Sequence, residues 1–414
     1  VAASPSASRS ILPAAGEGVP LRVAHYNVLA SYAGHNREPW FLHPLELTEA
    51  DRAAITRRYY EKDDDGKFRY TFADGYGELL SEDQRRQVEA EDSINFEWSS
   101  RGPRVLEKVR SFEADIISLV EMDHFPFFRD AMAPEFEAAF AKRPRKKSLD
   151  GSSLFWRRDR FELLRPPINV TFEDWEPRRG EVHHEDRAML AVALRDRAQP
   201  GEGKRLVAAA VHLMRNPEDV GKDAMRMLEV SQMMRALSCF VAEVGAEGLI
   251  VMGDFNAVPQ SWTHLFALHG WQDCIGSEKG IQDAFDEVEW GPRNESCTTR
   301  TGARSLWVDY IFFSARTMAL SGRPEVERCP PGPIPDATHP SDHLPVAATL
   351  RFLPSAQPLD ARARPADASC SAPGSGVAVN DVEVRPETSD AVSPPLSGSC
   401  DSPPPLSFVP AVGK

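Results

Sequence analysis

Short apolar runs recur through the middle of the chain, each closed by polar, Gly or Pro positions. They are Leu21–Leu29 (LRVAHYNVL), Ile116–Val120 (IISLV), Ser152–Trp156, Ala188–Leu194 (AMLAVAL), Leu206–Val211 (LVAAAV), Leu249–Met252 (LIVM), Trp307–Phe313 (WVDYIFF) and Pro345–Leu353. Runs this short, rich in β-branched and aromatic residues, predict strands. Between them, Gly102–Glu113 and Ala224–Ala242 repeat apolar residues at i, i+3 and i+4, the spacing of amphipathic helices. Strands interspersed with helices predict α/β layers, with two sheets stacked between helices.

The pattern fades at both ends. Residues 1–20 are rich in Ala, Ser and Pro, and 11 of the chain's 34 prolines fall within 354–414. Such composition cannot bury enough apolar surface to offset its ordering entropy, so both ends are expected to be disordered. A single body, 21–353, remains. Within it, 31–95 is acidic and rich in aromatic and charged residues, which reads as an insertion. Its EKDDDGKF sets Glu61, Asp63, Asp65 and Gly66 as in a calcium loop, but the twelfth position is Phe72 where a Glu is required, so a solvated turn is expected.

Composition narrows the classes. Hydrophobic residues make up 42% of the 414, enough for a sizeable core, and no uncharged apolar run reaches the roughly 18 residues of a membrane-spanning helix. The net charge of -14 opposes nucleic-acid binding through broad attraction, so a polyanionic substrate needs a local basic rim or metal ions. The six Cys show no CxxC spacing, so neither a zinc site nor a disulfide framework is indicated and a reducing compartment is the default. The chain begins with Val1, so any targeting peptide is unconstrained; a cytoplasmic setting is expected, with the nucleus as alternative.

Polar residues sit at telling places in the strands. Asn27 interrupts the first run, Glu121 ends IISLV, His212 ends LVAAAV, and Asp254 and Asn256 follow LIVM as GDFN. Asp309 lies inside WVDYIFF, and Asp342 and His343 precede the last strand in PSDHLPV. A buried charge is costly unless paired or bound to metal. Hard oxygen donors from Asp, Glu and Asn suit Mg²⁺ or Mn²⁺ rather than Zn²⁺, and the chemistry implied is metal-assisted attack on a phosphate ester. Taken singly, each residue has a plainer reading as a helix cap, a turn or a satisfied core polar group.

The ordered set Asn27, Glu121, His212, GDFN, VDY and SDHLPV resembles the signature of the endonuclease/exonuclease/phosphatase superfamily of metal-dependent phosphoesterases, over about 21–352 with 31–95 unmatched. The resemblance implies a four-layered α/β sandwich with its site at one end of two sheets. It implies that Glu121 and Asn27 hold Mg²⁺ or Mn²⁺, with Asp254 and Asp342 contributing to the metal shell. Asp254 and Asn256 position or deprotonate the attacking water. His343 contacts a phosphate oxygen or acts as acid/base with Asp309 behind its ring, and His212 donates to a non-bridging oxygen.

Three further stretches, INFEWSSRGPRVLEKVRSFEADIISLVEMDHF, LDGSSLFWRRDRFELL and HLMRNPEDV, resemble the carbon-catabolite-repression deadenylase and nocturnin branch. That branch implies a 3′-exoribonuclease acting on single-stranded RNA, or a relative acting on a nucleotide-type phosphoester, with Pro217 packing against a base. The chain departs from it at Met214 and Arg215, where a His-Trp pair is usual, and at Arg187, where an Asn is usual and a phosphate contact is one reading. Lys142-Arg143-Pro144-Arg145-Lys146-Lys147 concentrates positive charge, suited to guiding a polyanion, to nuclear localisation or to a solvated loop. Trp156, Trp262 and Trp307 are candidates for base stacking, although their apolar neighbours favour the core. Two other readings stay open: a same-fold phosphoesterase for a small metabolite, nucleotide or lipid headgroup, and an inactive binding scaffold. The Ser393–Pro395 and Pro403–Pro405 stretches suit a polyproline-binding partner.

Overall fold

A computed structural model describes residues 18–31, 42, 45–65, 79–145, 148–176, 181–270, 281–285, 296–302 and 304–359. All belong to the contact unit Val1–Val384; the second unit, Arg385–Lys414, lies outside them, as do both proline stretches of the tail and Phe72 of the acidic loop.

Fifteen strands are described. In order they are β1 (Leu21–Asn27), β2 (Ile116–Val120), β3 (Phe136–Lys142), β4 (Gly151–Arg157), β5 (Phe161–Glu176), β6 (Glu181–Asp196), β7 (Lys204–His212), β8 (Gly248–Asp254), β9 (Ile281–Asp283), β10 (Thr299–Arg300), β11 (Ser305–Leu306), β12 (Asp309–Ser314), β13 (Met318–Leu320), β14 (Glu325–Val326) and β15 (Val346–Phe352). The first sheet runs β13-β15-β1-β2-β4-β3 with β14 also on β15; the second runs β5-β6-β7-β8-β12-β9; β10 and β11 form a small ribbon.

The helices are α1 (Glu49–Tyr59), α2 (Glu82–Asn95), α3 (Trp98–Arg110), α4 (Phe125–Met132), α5 (Asp223–Val244) and α6 (Trp262–His269). Alternation along β1 explains the layering. Leu21 and Val23 join the core between the sheets, which also takes Leu190, Val192 and Ala208 of the second sheet. Ala24, Tyr26 and Val28 join a separate core with Val105 and Val109 of α3 and Phe125 and Phe128 of α4. On the other side, Val230, Met233, Leu237 and Val241 of α5 pack onto the second sheet. The order is helix, sheet, sheet, helix, the four-layered sandwich expected.

All eight expected strands exist, within a few residues except β6, which runs from Glu181. The strand β5 escapes the pattern because Pro166 and Pro167 interrupt it. It is an edge strand, where proline costs no ladder bond, and its pairing shifts register on both sides of Arg165. Trp307 lies just before β12 rather than in it.

Two further expectations are corrected. First, the packed body runs past Leu353: Ala356 and Leu359 are buried, and Leu359 N–H donates to Ala246 O at 2.8 Å. At the other end Val19 exchanges hydrogen bonds with the Gln199 side chain. Second, Cys297 and Cys329 form a disulfide. They are 32 residues apart in sequence, so no spacing motif marks them, and it is the fold that brings the segment before β10 against the one after β14. In the segment 31–95, read as an insertion, α1 is capped by Thr48, α2 opens on a Ser81–Gln84 capping box, and Leu42, Leu45, Tyr59, Leu80 and Val88 form a small core. Among the described residues no helix is long and apolar enough to cross a membrane.

Gly253, the first residue of GDFN, is set by sterics. A Cβ there would lie 2.2 Å from Val211 O on the neighbouring strand. Gly253→Ala is expected to destabilise the fold by about 3 kcal/mol, as overpacking of a fixed backbone does, read as a lowered urea midpoint at unchanged slope. An unchanged midpoint contradicts this packing.

Candidate active site

Strand direction brings the polar residues together. β1 and β2 pair in parallel with Asn27 opposite Val120, so Glu121 follows one step beyond. β7 and β8 pair in parallel with His212 opposite Asp254. Parallel neighbours end on the same side. The antiparallel strands begin where these end: Asp309 opens β12 opposite Asp254, and His343 shortly precedes β15, which runs antiparallel to β1.

Asn27 links the two sheets. Its Nδ2 donates to Glu121 Oε1 at 3.3 Å and to Asp254 Oδ2 at 3.1 Å, and lies 3.5 Å from His343 Nε2, while its Oδ1 accepts Leu29 N–H. His212 Nε2 stands 3.6 Å from Asp254 Oδ2 and 4.0 Å from Glu121 Oε1. Asn256 donates N–H to Asp254 Oδ1 at 2.9 Å and Nδ2 to Leu213 O at 3.2 Å. Behind this group, Asp309 Oδ2 lies 2.8 Å from His343 Nδ1, so His343 Nε2 faces Asp254 at 3.8 Å. All these side chains are buried.

The backbone here is strained. Glu121 (φ 57°), Asn256 (φ 48°) and Leu29 (φ 57°) occupy the left-handed region, at about 1 kcal/mol each. Arg101 holds the turns in place. Its buried guanidinium donates to Val28 O (2.7 Å), Leu29 O (2.6 Å) and Pro340 O (3.0 Å), tying the end of β1 to the segment that carries His343. Ser341 Oγ donates to Asn27 O at 2.6 Å and accepts His343 N–H. Thr298 Oγ1 accepts the N–H groups of Val308 and Asp309.

Charge and burial compete at each group. Burial, then the charge of Asp309, lifts Asp254 to about 7. Burial also acts to raise Asp309, but His343 and His25 outweigh it and hold Asp309 at about 2. Burial acts to lower His343, and Asp309, Asp342 and Asp254 overcome it and lift the imidazole to about 10. Asp309 and His343 therefore face each other as an ion pair across the neutral range.

The donor set fits a hard divalent cation. Asp254, Asp309 and His343 bring ligand atoms within 4.8 Å of one another. Both oxygens of Asp309, however, already face imidazole nitrogens, Oδ2 that of His343 and Oδ1 that of His25 at 3.2 Å. Glu121 and Asp254, each accepting from the Asn27 Nδ2 amino group and each within 4.0 Å of His212 Nε2, make a second pair of hard oxygen donors at this edge.

The remaining expected residues fall into place unevenly. Arg187, buried on β6, lines a cleft with Arg143, Asp150, Ser152 and His212, so that it stands beside the cluster. Arg143, from the basic run, forms an ion pair with Asp150 at 2.6 Å in the same cleft, while Lys146 and Lys147 lie outside the described residues. Asp342 is half-buried, its carbonyl held by Arg300 N–H and Thr299 Oγ1, and it joins the cluster through its charge on His343. Pro217 is buried, and so are Trp156 and Trp307; Trp262, 70% exposed, is the one tryptophan of the three candidates that presents a face to solvent. Sequence reading did not find Arg101, Thr298, Ser341 or His25. Only His25 carried a signal, since alternation puts it on the face of β1 shared by Val23 and Asn27.

Known proteins are similar to this chain in sequence and fold. The Endonuclease/Exonuclease/phosphatase family profile matches residues 93–343. Nocturnin of Xenopus laevis is 25% identical over 276 residues, covering 62% of this chain and 65% of that protein. The CCR4-Not complex 3′-5′-exoribonuclease subunit Ccr4 of Mycosarcoma maydis is 23% identical, covering 60% of this chain and 45% of its own length. The chain thus spans less than two thirds of these relatives. The fold resembles that of ANGEL2, a 2′,3′-cyclic phosphatase solved with adenosine-2′,3′-vanadate, with a TM-score of 0.53 at 17% identity over 81% of this chain and 96% of that one. With strand-end carboxylates and a carboxylate-backed imidazole inside the span that the profile covers, this chain belongs to the endonuclease/exonuclease/phosphatase family.

Proposed function

We propose that this chain is a divalent-metal-dependent phosphodiesterase whose substrate is the 3′ end of single-stranded RNA. The observation that carries this reading is the buried pairing of His343 with Asp309 beside the carboxylates of Glu121 and Asp254, which Asn27 holds together across the sheets. Similarity to a Ccr4 3′-5′-exoribonuclease subunit supports the RNA class.

Glu121 and Asp254, with Asn27 beside them, would hold Mg²⁺ or Mn²⁺. When bound, the cation supplies a positive charge against the phosphate oxygens and lowers the pKa of water. The chain's own groups do the rest. Asp254 takes a proton from the attacking water, and Asn256, held through Asp254 and Leu213, fixes its approach. His343 presents a protonated Nε2 to a phosphate oxygen while Asp309 keeps the proton on Nδ1 and orients the ring. His212 donates to a non-bridging oxygen.

A nucleotide-type phosphoester is the second reading, and Arg187 favours it. A buried guanidinium in the cleft beside His212 suits a terminal phosphate better than a continuing strand. Neither reading requires the proline-rich tail, for which a polyproline-binding partner stays a proposal from sequence.

Purified protein with Mg²⁺ is expected to release mononucleotides from single-stranded homopolymer RNA, and Asp254→Ala to reduce the rate at least about 10³-fold. Release from no RNA, DNA or nucleotide removes the reading. Arg187→Ala is expected to raise KM about tenfold for substrates with a terminal phosphate and to leave others unchanged; equal effects on both overturn the second reading. Proton and cation compete for Asp254. Because its carboxyl is raised to about 7, Mn²⁺ affinity measured by calorimetry should weaken as pH falls below 7, by up to tenfold per unit, and lose that dependence in Asp254→Asn. Affinity flat from pH 5.5 to 8 in the parent protein contradicts Asp254 as a ligand.

A further inference from the structure

The His343–Asp309 pair does not end at Asp309. His25 Nε2 lies 3.2 Å from Asp309 Oδ1, and His25 Nδ1 lies 3.0 Å from Ser118 Oγ. The two histidines therefore take one oxygen each of the same carboxylate, at Oδ1 and Oδ2. His25 and Ser118 are fully buried and sit opposite each other on the parallel strands β1 and β2, whereas Asp309 belongs to the other sheet.

The hydrogen-bond inventory fixes the direction of the contact with Asp309. An ionised Asp309 only accepts, so His25 Nε2 must carry a proton. Ser118 Oγ, which can donate or accept, lies 3.0 Å from His25 Nδ1 and holds the other edge of the ring in either protonation state. Without His25, Oδ1 of a buried carboxylate would lose its imidazole donor. The Asp309 side chain would be free to turn about its terminal torsion and to loosen its hold on His343 Nδ1.

We propose that His25, oriented by Ser118, is a positioning residue that clamps the carboxylate of Asp309 from the first sheet and so fixes the ring of His343. Its effect on turnover rests on the phosphodiesterase reading; its effect on the His343 ring does not. Three variants separate the two: His25→Gln, which keeps a donor near the position of Nε2, His25→Leu, which removes it, and Ser118→Ala, which removes only the orienting hydroxyl. The first readout is the His343 Nδ1–H resonance in imidazole ¹H–¹⁵N NMR spectra. It should be present and downfield in the parent protein and His25→Gln, and broadened or lost in His25→Leu.

The second readout is kinetic. On whichever phosphoester the parent protein hydrolyses, kcat should fall 10- to 100-fold in His25→Leu with KM within twofold, and return to within fivefold of the parent in His25→Gln. If His25→Leu does not fold, Ser118→Ala serves in its place, with a kcat loss of about three- to tenfold and the same broadening. A parent protein inactive on every ester tested removes the phosphodiesterase reading and leaves the resonance to decide the clamp. A His343 Nδ1–H resonance unchanged in a folded His25→Leu or Ser118→Ala variant overturns the proposal.

Discussion

The rest of the site depends on a hydrogen bond that crosses between sheets: the amide of Asn27, at the end of β1, donates both to Glu121 of its own sheet and to Asp254 of the other. Most of the layer between the sheets is apolar, closed by Val, Ala, Leu and Ile side chains without solvent exposure. At one edge that packing gives way to carboxylates, amides and imidazoles. Grouping buried acidic side chains is unfavourable without donors. The fold supplies donors from fixed elements, so the group keeps its arrangement without rearrangement of either sheet.

The arrangement follows from strand direction. Two parallel pairs, β1 with β2 and β7 with β8, end together, and β12 and β15 run back from the same edge. Residues hundreds of positions apart thereby meet within hydrogen-bond reach, as Asn27 and Asp254 do. The segment containing Ser341 and His343 is not a strand, and its position has to be imposed. Arg101 and Ser341 impose it by bonding to the backbone at the end of β1, and the Thr298 hydroxyl steadies the start of β12. The disulfide at Cys297 adjoins Thr298, so the covalent link falls beside the segment that orients Asp309.

Much of this was legible in the sequence, because polar residues at the ends of apolar strands are conspicuous. Asn27, Glu121, His212, Asp254, Asn256, Asp309 and His343 all lie in the one cluster, and the eight apolar runs became strands. What was hidden depends on long-range geometry. The strand β5 carries two prolines that an edge position tolerates. The cysteine pair meets only through the fold. Arg101 lies just outside the helix expected from Gly102, and only in the folded chain do three carbonyls surround its guanidinium. His25 reads as one polar residue in an apolar run, and its significance needs Asp309 from the opposite sheet. Arg187 stood out as a departure from the resembling branch with a phosphate contact as one reading, and the structure puts it in the cleft beside His212.

In the proposed site Glu121 and Asp254 would hold a divalent cation in front of an imidazole that Asp309 keeps oriented. Anomalous diffraction from crystals soaked in Mn²⁺ tests it most directly. A strong peak bonded to Glu121 and Asp254 is expected, with the His343–Asp309 hydrogen bond intact beside it. A peak liganded instead by Asp309 and His343, or no peak at this edge of the sheets, would contradict it.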